Sequence, residues 1–79
     1  MTNTVELTLV DIDGFGRAVF KDENGKLYKS VALVPDGDPC NWTDGEVLDL
    51  IATLHTTDRI DGEPGFPVPG STVYTITNL

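Results

Sequence analysis

The chain has one cysteine, Cys40, and one histidine, His55, in 79 residues. A lone cysteine excludes an internal disulfide. Secreted domains this small usually carry several, so the expected location is the cytoplasm. One His and one Cys also argue against a zinc centre built from a single chain. Bases are scarce: three lysines and two arginines stand against 13 acids, for a net charge of −8. A domain so acidic repels nucleic acid and membrane surfaces and attracts basic protein surfaces. Long apolar runs are missing too. The longest wholly aliphatic stretch is Val31-Ala32-Leu33-Val34, far short of a membrane span. The start, Met1-Thr2-Asn3-Thr4-Val5-Glu6, has neither the basic nor the apolar region of a signal peptide. Without such a signal, the Asn41-Trp42-Thr43 glycosylation sequon reads as a chance match.

The charge that is present is lopsided. Residues 1–29 hold five acids and four bases, whereas residues 30–79 hold eight acids and one base, Arg59. The apolar content, 39%, is ordinary for a folded protein, so the chain is expected to form one small domain over 1–79.

Val5, Leu7 and Leu9 alternate with Glu6 and Thr8, and the run continues to Ile12, which is strand periodicity. Asp13-Gly14 marks a turn, and Gly16 can supply a positive φ. Arg17–Lys21 reads as a second strand, with Ala18 and Phe20 on one face and Val19 on the other. Asp22-Glu23-Asn24-Gly25 predicts a tight hairpin. Lys26–Val34 reads as a third strand, apolar in part on both faces, which suits a strand covered on each side. Pro35 ends it, and 35–39 is a stiff polar connector. Thr43 and Glu46 match a capping box. Val47, Leu50, Ile51 and Leu54 follow at helical spacing and predict a helix over about 44–56. Residues 58–70 hold three prolines and three glycines without any period and predict a long loop. Ser71–Asn78 alternates again. The expected fold is α+β, in the order β-β-β-α-β, with a mainly antiparallel sheet and one helix packed on a face.

Most chemistries can be set aside. Asp11, Asp13 and Asp22 approach the spacing of a calcium loop, but Phe15 stands where a third oxygen ligand belongs and both flanks read as strands. The alternative is a hairpin turn in which the Asp side chains accept nearby backbone N–H groups. Cys40 precedes the predicted helix and His55 ends it, about 20 Å apart, which separates any thiol–imidazole pair. Paired carboxylates would need a cleft that a domain of this size can hardly spare. No phosphate-cradling glycine loop is present. The expectation is a non-enzyme with no catalytic residue, metal or cofactor. Arg17, Lys21, Lys26 and Lys29 are interrupted by acids, so nucleic-acid binding through them is not expected either.

What remains is a surface. Asp36, Asp38, Asp44, Glu46 and Asp49 crowd the start of the helix, and Asp58, Asp61 and Glu63 lie in the long loop. The helix dipole accounts for Asp44 and Glu46. Solvation tolerates the rest, or they form a patch that docks on Lys and Arg of a partner. Trp42 is placed to staple onto Val47 or to serve as an exposed anchor, and Phe66 either plugs the core or awaits a partner. In profile, though through no motif, the chain is similar to small phage or plasmid inhibitors of host nucleases and defence complexes, some of which imitate the charge of DNA. That resemblance implies an anti-CRISPR-like or DNA-mimic-like protein that occupies the basic surface of a larger protein. The ten residues above would carry it, charge steering the encounter and an aromatic anchoring it. The alternatives are a structural or accessory subunit that self-assembles through a sheet face or open edge, leaving monomer and homodimer both open, and a halophile protein whose acidity serves solubility.

Overall fold

The structure, a computed structural model, describes residues 3–77. The elements are β1 (Asn3–Ile12), β2 (Arg17–Lys21), β3 (Leu27–Leu33), a 3-10 turn at Pro39–Asn41, α1 (Asp44–Ala52), β4 (Leu54–Thr57) and β5 (Thr72–Ile76). They form one five-stranded sheet in the order β4-β3-β2-β1-β5. Every neighbouring pair is antiparallel except β1 and β5, which run parallel. This is the expected α+β architecture, mainly antiparallel with one helix. Asn78, the end of the predicted last strand, lies outside the described residues, as do Met1 and Thr2.

The turns form where the glycines allow them. Gly16 and Gly25 adopt φ of 80° and 83°, and each N–H closes its turn onto the carbonyl of Asp13 or Asp22. The capping box is complete. The Glu46 N–H donates to Thr43 Oγ1 at 3.2 Å, and the Thr43 N–H donates to Glu46 Oε1 at 2.8 Å.

The predicted helix is too long. α1 ends at Ala52, and Leu54–Thr57 is a strand that the periodicity concealed. Leu54 fits helical spacing from Leu50, but it also opens a segment rich in β-branched threonine, which loses χ1 freedom in a helix. Thr53 closes the helix instead. Both its N–H and its hydroxyl donate to the Asp49 carbonyl, at 3.2 and 2.9 Å. His55 is accordingly not at a helix terminus. It lies on β4, with Nδ1 2.9 Å from the Thr53 carbonyl oxygen.

The helix covers one face. Leu7, Ala18, Phe20, Tyr28, Leu50, Leu54, Trp42 and Tyr74 form a buried cluster there, and the Ser30 hydroxyl donates to the Leu50 carbonyl at 2.6 Å. The sheet curls around this cluster. The Val68 N–H reaches the Leu54 carbonyl on β4, yet Thr72 opens β5 at the opposite edge. Four residues span at most about 14 Å, less than the roughly 19 Å from β4 to β5 in a flat sheet. The T-shaped contact of Tyr28 and Tyr74, with ring centroids 5.7 Å apart, spans the concave side.

Candidate functional site

Strand alternation sends the residues between these core positions to the opposite face. The register sets Asp11, Val19, Lys29 and His55 in one row across β1, β2, β3 and β4. Among the described residues, no helix covers that row. The segment 58–68, here the strap, crosses part of it and then returns along the edge of β4. Its return is held by main-chain bonds: Thr56 N–H to the Phe66 carbonyl at 2.9 Å and Gly65 N–H to the Thr56 carbonyl at 2.6 Å. A Cβ on Gly65 would stand 3.0 Å from that Thr56 oxygen, so the close approach calls for glycine.

Beneath the strap lies a buried ionic cluster. Lys29 is fully buried. Its Nζ donates to the Gly62 carbonyl at 2.6 Å and pairs with Asp13 Oδ2 at 2.8 Å. Arg17 Nε donates to the same Oδ2 at 3.0 Å, and the Phe15 and Arg17 N–H groups donate to Oδ1, both at 2.9 Å. All four donors converge on one carboxylate. Burial alone would raise its pKa. The bonds from Lys29, from the two backbone N–H groups and from the Arg17 guanidinium together outweigh burial and hold Asp13 well below the usual carboxylate range. The turn reading of Asp13 is therefore the one observed, with the Lys29 pair added. Among the described residues, no three His, Cys, Asp or Glu side chains are grouped to hold a metal ion.

Lys29 thus pins the strap by its own backbone, and Arg17 adds an outer contact, Nη1 to Glu63 Oε2 at 3.7 Å. Between the strap, β4 and the start of β3 is a cleft of about 630 Å³, lined in part by Lys26, Arg59, Asp58, Glu63 and Phe66. Phe66 is 81% exposed at its rim, so it does not plug the core.

The predicted site residues therefore separate. Asp58, Glu63 and Phe66 meet at the cleft, with Asp61 exposed on the same strap. Asp36, Asp38, Asp44 and Asp49 are exposed on the connector and α1, and Glu46 is half-buried in its cap. Trp42 is corrected from a candidate anchor to a core residue: it is 8% exposed and belongs to the buried cluster, as the staple reading required. Lys26 and Arg59 also line the cleft, so its walls carry both signs of charge. Sequence reasoning passed over them because it counted acids. Lys29 figures there only as one of four bases interrupted by acids, although the apolar residues on both faces of its strand are the signal that it is covered. Compared with known proteins, the chain matches no family model, no curated sequence and no solved structure.

Proposed function

We propose that this is a non-catalytic binding protein that docks through its strap on a basic surface of a larger protein. The observation that carries the reading is Phe66: a large aromatic, 81% exposed, beside the acids Asp58, Asp61 and Glu63 on a segment whose backbone is pinned from beneath by Lys29. A pinned segment loses little conformational entropy on binding. An exposed aromatic that fills a partner pocket is a typical hot spot. The net charge of −8 steers the encounter toward a basic partner. The partner class this suits is a nucleic-acid-binding enzyme, which an acidic inhibitor of phage or plasmid type would block by occupying its basic groove. The site for that action is cytoplasmic. Trp42 takes no part, and the acids around α1 contribute to the field rather than to contact.

The test is capture on the immobilised full chain at low and high salt. A basic nucleic-acid enzyme retained at low salt and released at high salt is the expected result. Retention that is indifferent to salt would overturn charge-steered docking.

A further inference from the structure

The two edges of the sheet are finished in opposite ways. At β4 the strap supplies a further line of main-chain bonds, and Pro64, Pro67 and Pro69 deny N–H groups to any additional strand. Among the described residues, nothing covers β5 in this way. Among the described residues β1 is its only strand neighbour, and its one backbone bond outside that ladder is Thr72 N–H to the Pro69 carbonyl at 3.3 Å. Natural edge strands are blunted by lysine, proline or a bulge. Thr72–Ile76 contains neither residue, and its register with β1 runs unbroken from Asn3↔Thr72 to Leu7↔Ile76. By contrast, both the β1–β2 and β2–β3 pairings are interrupted. Val73 (46% exposed) and Thr75 face solvent.

The charge pattern indicates what fits this edge. Residues 64–79 contain no Asp, Glu, Lys, Arg or His, in a chain whose net charge is −8. A basic partner finds nothing to pair with there and is drawn to the acids elsewhere. A second copy meets only the same uncharged segment. We infer that β5 is a self-association edge, at which two copies pair β5 to β5 antiparallel about a twofold axis to form one continuous sheet. A twofold contact sets a segment opposite itself, so any charge on it would meet its like, which is destabilising. Here Thr, Val, Tyr and Ile meet one another. The nearest acid, Glu6, stands opposite Thr75 on β1. The two Glu6 copies would lie three strand spacings apart, about 14 Å, beyond the Debye length of about 8 Å at physiological salt.

Sedimentation analysis of the full chain, from micromolar to millimolar concentration, tests this. The expected result is a reversible monomer–dimer equilibrium. A Val73→Lys/Thr75→Lys variant sets like charges across the axis and weakens dimerisation by about tenfold or more. A Val73→Glu/Thr75→Glu variant is weakened likewise, and mixing the two restores a dimer that contains one of each. The mixing arm holds even if either variant is less stable. A wild type that stays monomeric to millimolar concentration overturns the inference, as does association that the lysines leave unchanged. So does a monomer that takes up an extended foreign peptide along β5, which would make the edge a site for another protein's strand.

Discussion

The two faces of this sheet are covered by different physics. On the first, α1 seals an apolar cluster in which Leu7, Phe20 and Leu50 are all but inaccessible. On the second, a segment without regular structure is fixed by a buried lysine, a carboxylate and a main-chain carbonyl. Apolar contact is tolerant, since side chains of similar volume can replace one another. The ionic cluster is not, because removing one member strands a buried charge. The helix face therefore holds the domain together, while the ionic face fixes the position of one segment. That segment carries Phe66, the more exposed of two exposed phenylalanines among the described residues.

The sharpest way to break the comparison is Asp13→Ala. It leaves Lys29 buried without its counter-charge and should lower stability by about 3–5 kcal/mol in urea unfolding. The strap amides should also lose hydrogen-exchange protection before the helix does. If strap and helix amides lose protection together, the faces are not distinct. On the helix face, Leu50→Ala should lower stability by about 2–5 kcal/mol and leave the strap no looser than the rest.

Acid and alkali perturb these groups without mutation. The folded pKa of Asp13 lies below its unfolded value, and so does that of Asp22: burial raises it, but the bonds from Lys26, Tyr28 and Asn24 outweigh burial. Their contribution is present above the unfolded pKa of about 3.9 and is lost as pH falls through the folded values. Thermal melts should therefore drop steadily below about pH 4, and Asp13→Ala should flatten that slope. Alkali acts on the helix face. Burial, then the Asp22 bond, push the Tyr28 phenol up to about 12, so its contribution fades as pH rises from its ordinary value toward that one. Tyr28→Phe should remove this alkaline limb. The smallest effect belongs to Phe66→Ala. Its exposed ring should contribute less than about 0.5 kcal/mol to stability, so a larger loss would mean that Phe66 packs into the fold.

The sequence disclosed what rests on local rules. Alternation marked β1, β2, β3 and β5, positive φ placed the turns at Gly16 and Gly25, and the capping box at Thr43 fixed where α1 begins. It did not disclose what long-range packing decides. Leu54 satisfies a helical stripe and a short strand equally well, and only pairing with Ser30 on β3 selects the strand. The strap read as loop because prolines and glycines carry no period, yet its path is set by Lys29, 33 positions before Gly62 in the chain. At the candidate site, the acids and Phe66 were legible as residue types. Their separation into two groups was not, since it depends on which side of the sheet each element covers.

The central claim is that the strap, and not the acids around α1, makes the contact. The direct measurement compares salt-sensitive capture by two variants of the full chain. One carries Phe66→Ala with Asp58→Asn, Asp61→Asn and Glu63→Gln. The other carries Asp36→Asn, Asp38→Asn and Asp49→Asn, which leave the helix cap intact. The account predicts that the strap variant loses the captured partner, while the second variant binds it more slowly and still retains it. Retention by the strap variant with loss by the other would contradict it.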